Sequence, residues 1–169
     1  VLVPLLRALA WRYFGLYMRK SDAVTGPSRY VKDELSKHYP GTPIFHIPNG
    51  VDIERFSGAA PYEATCRRFS MFNEKTFVFI GRLGAEKSVD LLIDGFKIAI
   101  RRDPEIRLIL VGDGPGKRMY KRQVRDLGLR HSVFFLGRLS PDDLYTSGLI
   151  HNAVAFVAAS TTESFGMTV

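Results

Sequence analysis

From Thr76 onward the chain alternates short apolar runs with amphipathic stretches. Phe77-Val78-Phe79-Ile80, Ile106 to Val111, Val133 to Leu136 and Val154 to Ala158 are dominated by branched and aromatic side chains. Phe77 to Ile80 is a short buried-strand pattern, and Ile106 to Val111, nearly all apolar, is that of a parallel strand covered on both faces. Between the first two, Val89, Leu92, Phe96 and Ala99 recur at helical spacing and predict a helix over 88–102. A second helix is expected over 115–128, with Pro115 at its first position. Ser140-Pro141 opens a third, running to about Ser147. Four strand–helix units in succession predict an α/β fold, a Rossmann-like doubly wound parallel sheet. Right-handed crossovers put every strand-to-helix turn on one rim, at the carboxyl ends where ligands bind in such sheets.

Upstream the pattern changes. Residues 2–20 read as a helix with Leu5, Leu9, Phe14, Leu16 and Tyr17 broadly on one side and Arg7, Arg12, Arg19 and Lys20 as its charges. It suits either packing inside a larger domain or contact with a membrane surface. Ala23 to Thr25 and Ile44 to Ile47 read as strands, and Ser28 as the N-cap of a helix to His38. Two strands are too few for a sheet of their own, so 1–48 is expected to be the C-terminal tail of another domain. Pro48-Asn49-Gly50 is turn chemistry. Residues 49–75 read as hinge and linker, with a short basic helix from Tyr62 to Phe72, and 76–169 as the ligand-binding domain.

The net charge of +7 and pI near 9.7 point to an anionic partner: a phosphate ligand, an anionic membrane or nucleic acid. The excess is spread along the chain: residues 1–50 hold seven Lys/Arg against three Asp/Glu, and residues 51–169 hold seventeen against fourteen. One cysteine, Cys66, excludes an internal disulfide framework and a cysteine-cluster zinc site. His131 and His151 are not spaced as metal ligands and read as structural, His46 reads as packing within its strand, and no metal or cofactor is expected. A chain that begins at Val1 is expected to be a piece of a longer protein.

Gly81-Arg82-Leu83-Gly84-Ala85-Glu86-Lys87 follows the first strand. It brings a bidentate cation and a mobile point charge to a helix N-terminus, which suits a phosphate-bearing ligand. It is not a Walker A loop. Gly112-Asp113-Gly114-Pro115-Gly116-Lys117 lacks the third glycine spacing of a dinucleotide fingerprint. Lys117, Arg118, Lys121, Arg122 and Arg125 form a basic helix face, either solvated or able to hold phosphates of lipid or nucleic acid. No aromatic ladder accompanies it, which disfavours single-stranded nucleic acid. Glu163 falls on the shared rim, either as a contact to a helix dipole or as a hydroxyl acceptor.

Five motifs occur in one order: Ile47-Pro48-Asn49-Gly50-Val51-Asp52, Gly81-Arg82-Leu83-x-x-Glu86-Lys87, Val111-Gly112-Asp113-Gly114-Pro115, Phe135-Leu136-Gly137-Arg138-Leu139 and Glu163-Ser164-Phe165-Gly166-Met167. Together they resemble the retaining nucleotide-sugar glycosyltransferases of family 4, with the two-Rossmann-domain GT-B fold. The resemblance implies that 76–169 is a truncated donor domain and 1–48 the end of the acceptor domain. It implies that Arg82 and Lys87 bind and neutralise the donor diphosphate, that Gly81 and Gly112 shape that site, and that Arg138-Leu139 lies against the nucleobase. Glu163, Ser164, Phe165, Gly166 and Met167 would contact the donor sugar, with Glu163 also catalytic. The second Glu of the family's Glu-x7-Glu motif would fall two residues beyond Val169. Implied partners are a nucleotide-sugar donor and an acceptor sugar or glycolipid, in the cytoplasm or at the inner face of the membrane. The chain alone is expected to be inactive.

Ser88 departs from a usual glycine and is expected to act as an N-cap. Val154 and Ala159 depart from a usual Asp and Pro. The competing reading is a non-catalytic basic module that binds nucleic acid or anionic membrane.

Overall fold

The computed structural model describes residues 2–50 and 52–160, with no side-chain description for Leu2 and Val3. The chain divides into two units after Gly50.

The first unit contains α1 (Leu2–Met18), β1 (Val24–Gly26), α2 (Arg29–His38) and β2 (Ile44–His46). Ser28 caps α2 as expected, its hydroxyl accepting from the Val31 N–H at 3.2 Å. The two strands do form a sheet, contrary to the expectation from their number. β1 and β2 pair in parallel, Val24 opposite Ile44, with α2 as the crossover between them. Met18 and Ile44 are buried, and Trp11 stacks on His38 with ring centroids 4.0 Å apart.

The second unit opens with a 3-10 turn (Ile53–Phe56) and α3 (Tyr62–Arg68). β3 (Thr76–Ile80) leads through a 3-10 turn (Ala85–Lys87) into α4 (Val89–Ile100). Next come β4 (Arg107–Val111), α5 (Lys117–Asp126), β5 (Val133–Gly137), α6 (Pro141–Thr146) and β6 (Ala155–Phe156). The four strands are all parallel, in the order β5-β4-β3-β6. β3 to β4 to β5 steps one way across the sheet, and β6 lies on the other side of β3. The chain therefore reverses direction beside β3, as in a doubly wound sheet.

Period-two alternation divides the core. Phe79, Leu108 and Leu110 face α4 and α5 and pack with Val89, Ile93, Phe96, Tyr120 and Val124. Val78, Ile109 and Val111 face the other way and pack with Phe69, Phe72 and Leu149. Both faces of β3 and β4 are covered, which explains why these two read as continuous apolar runs, whereas β5 is half-buried beyond Val133 and β6 leaves Ala155 exposed. Residues 62–75, read from composition as part of the linker, supply α3, Phe69 and Phe72 to the second face. The buried Thr65 hydroxyl donates to the Ser147 carbonyl at 3.0 Å and accepts from Asn152 Nδ2 at 2.8 Å. That pair of bonds ties α3 to the chain that follows α6.

Two helix starts differ from the sequence pattern. α5 begins at Lys117, two residues after Pro115, and the Gly116 N–H just before it donates to the Leu83 carbonyl at 2.8 Å. α4 begins at Val89, and Ser88 does not cap it with its side chain. Ser88 joins the 3-10 turn to α4 with φ 47 and ψ 43, a left-handed conformation that glycine adopts without steric cost.

Candidate functional site

A cleft of about 610 Å³ lies beyond the carboxyl ends of β3, β4 and β5. Gly81 and Arg82, Gly112 and Asp113, and Arg138 and Leu139 line it, above an apolar floor of Ile80, Val111 and Leu144. Five of the residues expected at a ligand site therefore share one hollow: Gly81, Arg82, Gly112, Arg138 and Leu139.

Backbone bonds weld its rim. The Gly81 N–H donates to the Val111 carbonyl at 2.9 Å, the Leu83 N–H to the Asp113 carbonyl at 3.0 Å, and the Gly112 N–H to the Gly137 carbonyl at 2.7 Å. Gly112 holds φ +137, and a Cβ there would lie 1.8 Å from the Gly81 carbonyl oxygen. A Cβ on Gly114 would meet the Leu83 backbone at 2.6 Å. Only glycine lets the two loops run this close. The Leu83 side chain is fully buried, which fixes the loop from below. The buried Tyr120 hydroxyl donates to the Gly84 carbonyl at 3.1 Å. With Leu83 anchored inward, Arg82 is left exposed at the rim.

Charge in the cleft is unevenly committed. Asp113, which the sequence did not single out, lines the cleft. Its carboxylate accepts from the Gly114 N–H and from Lys117 Nζ, both at 2.8 Å. The Lys117 bond first, and then the Gly114 N–H, hold its carboxyl below the ordinary aspartate range, and the nearby Arg138 charge acts in the same direction. The one sequence signal for the pair is its i, i+4 spacing. Among the described residues, neither Arg82 nor Arg138 has a carboxylate partner. Lys117 neutralises Asp113, so the cleft keeps the two arginines for an anion.

Lys87 ends the 3-10 turn, half-buried, and does not line this cleft. Glu163, Ser164, Phe165, Gly166 and Met167 lie outside the described residues.

The family model for glycosyl transferases group 1 matches residues 68–169, more than half of the chain. The chain belongs to that family. The model for glycosyltransferase family 4 matches residues 2–55 of this group 1 chain. The chain is 26% identical over 157 residues to alpha-monoglucosyldiacylglycerol synthase of Streptococcus pneumoniae, covering 90% of the chain and 35% of the relative. It is 36% identical over 135 residues to mannosylfructose-phosphate synthase of Agrobacterium fabrum, covering 74% and 29%. It is 31% identical over 141 residues to GDP-mannose-dependent alpha-(1-6)-phosphatidylinositol monomannoside mannosyltransferase of Mycolicibacterium smegmatis, covering 82% and 36%. The group 1 chain thus spans about a third of the length of the curated relatives it matches.

Solved structures share its fold. HepE of Anabaena, crystallised with UDP and glucose, aligns with a TM-score of 0.72 at 23% identity, over 89% of this chain and 41% of that one. The pneumococcal O-GlcNAc transferase GtfA, crystallised with UDP and GlcNAc, aligns with 0.69 at 18% identity, over 89% and 28%. The parallel sheet of this group 1 chain is Rossmann-like, as its sequence pattern implies.

Proposed function

We propose that the protein containing this chain transfers a sugar from a nucleotide-diphosphate donor to an acceptor, with retention at the anomeric carbon. The observation that carries this reading is the cleft itself. It joins two glycine loops that admit a ligand to the backbone, two arginines without carboxylate partners among the described residues, and the apolar surface of Ile80, Val111, Leu139 and Leu144. An apolar floor with a cationic rim suits a flat base joined to a diphosphate. Arg82 forks onto the diphosphate, and Lys87, at the N-terminal end of α4, neutralises charge as the bond to the anomeric carbon breaks. With these cations in place the transfer needs no metal, and activity should survive chelation by EDTA. Glu163 and the residues after it complete the sugar site.

Relatives named for glucosyldiacylglycerol and for phosphatidylinositol mannoside make a lipid-linked acceptor, at the cytoplasmic face of a membrane, the favoured choice. The chain by itself binds donor weakly and does not turn over, since the remainder of the acceptor site belongs to a longer protein.

The test is steady-state kinetics of the full-length protein with Arg82→Ala and Lys87→Ala. A charge-assisted bond contributes about 1.5–3 kcal/mol, so each change should lower kcat about tenfold or more. Unchanged transfer rates in both variants would refute the mechanism.

A further inference from the structure

We infer a second anion-binding surface, on the flank of α5 beyond strand β5, that docks the protein on an anionic phospholipid membrane. At 3.6 residues per turn, Arg118, Lys121, Arg122 and Arg125 fall within an arc of about 100° on α5. Tyr120 and Val124 are buried against the sheet. Gln123 is turned toward α4, donating to Asp94 Oδ1 at 2.9 Å and to the Asp90 carbonyl at 3.0 Å. The cationic flank therefore lies on the side away from α4, over β5. β5 is the edge of the four-stranded sheet among the described residues.

There the four side chains and Arg130 surround an open groove of about 590 Å³ whose floor includes Phe134 and Phe135. Arg125 pairs with Asp126 at 2.8 Å. Among the described residues, Arg118, Lys121, Arg122 and Arg130 have no carboxylate partner. All five cations are exposed. Four solvated cations spread along a helix of about 15 Å, with Arg130 beyond its end, match an array of phosphate headgroups better than a single enclosed anion.

Two other occupants fit less well. Single-stranded nucleic acid needs stacking faces, but Phe135 is half-buried and carries the Lys121 ammonium 5.7 Å from its ring centroid. An acidic peptide adding to the edge of β5 would have to displace that lysine, and charged side chains at a sheet edge discourage strand addition. As a means of bringing a lipid-linked acceptor to the donor cleft, the surface rests on the reading above. As a binding surface it stands without it.

The experiment is co-sedimentation of the full-length protein with phosphatidylcholine vesicles, with and without phosphatidylglycerol. Binding is expected only to the anionic vesicles and should weaken steeply with salt. Joint replacement Arg118→Gln, Lys121→Gln, Arg122→Gln and Arg125→Gln should reduce it about 100-fold or more. The melting temperature and nucleotide-sugar affinity of that variant should stay at wild-type values, so a failed donor reading and a failed membrane reading give different results. The inference is overturned if the wild type ignores vesicle charge, if the quadruple variant sediments like the wild type, or if the variant loses only binding to an oligonucleotide.

Discussion

The backbones of Gly81 and Gly112 approach so closely that a Cβ on Gly112 would sit 1.8 Å from the Gly81 carbonyl oxygen. The two residues end adjacent parallel strands and together define the mouth of the cleft. Sheet register brings them there: Ile80 pairs with Val111, so the residues that follow are held side by side.

Gly112→Ala is therefore expected to damage fold and site together. The new methyl meets backbone, which cannot rotate away, and the φ of +137 is strained for any L side chain. The expected loss is on the order of 3 kcal/mol in the stability of this domain, with loss of nucleotide-sugar binding. Chemical denaturation and donor titration of the full-length protein measure both.

Ser88→Gly should act in the opposite direction. Ser88 holds φ 47 and makes no side-chain cap, so its hydroxyl does not offset the strain. Glycine should raise stability by about 0.5–1 kcal/mol, read as a shift of the denaturation midpoint. A destabilised Ser88→Gly variant would mean that the hydroxyl serves a purpose other than capping.

Thr65→Val tests whether α3 belongs to the folded core. The substitution preserves shape but leaves the Ser147 carbonyl without its Thr65 donor and Asn152 Nδ2 without its Thr65 acceptor, although Asn152 keeps the Ala60 carbonyl at 3.0 Å. A cost of about 2 kcal/mol is expected for a buried polar pair broken on one side. A linker residue would cost almost nothing in the same denaturation experiment.

Acid should weaken the second unit in a definable window. Asp103, Asp113 and Asp143 all have carboxyls held below the ordinary value, chiefly by hydrogen bonds from Lys75, Lys117 and Arg68 respectively. A folded pKa below the unfolded one gives stability that is present above the unfolded value, about 4. It is lost as pH falls through the folded values. Melting temperature should thus drop below about pH 4, and Asp113→Asn should flatten part of that slope while keeping the acceptor for the Gly114 N–H.

The two central strands and their two-sided burial were legible because a parallel strand covered on both faces must be apolar at nearly every position, as in Phe77 to Ile80, while the expected strand Val154 to Ala158 is only Ala155–Phe156 and is not buried. Helix spacing placed α4 for the same local reason, and the Ser28 and Ser140 caps were readable because an N-cap bonds only three residues ahead. The ordered motifs named Gly81, Arg82, Gly112, Arg138 and Leu139, which share the cleft, together with Lys87, which does not line it. Contacts between residues distant in sequence were beyond that reading. β1 and β2 pair through a crossover that joins strands twenty residues apart. Residues 62–75 were legible as a short basic helix within the linker, yet Phe69 and Phe72 are buried by a sheet whose strands come later. Ser88 resembled a cap by residue type, while the preceding 3-10 turn forced it into the left-handed region. Asp113 looked like one acid in a turn until Lys117 and Gly114 closed on it. Local pattern sets which elements form, because helix and strand periodicity acts over a few residues. The sheet register decides which loops meet, and only there do Gly81, Gly112, Arg82 and Arg138 become one cleft.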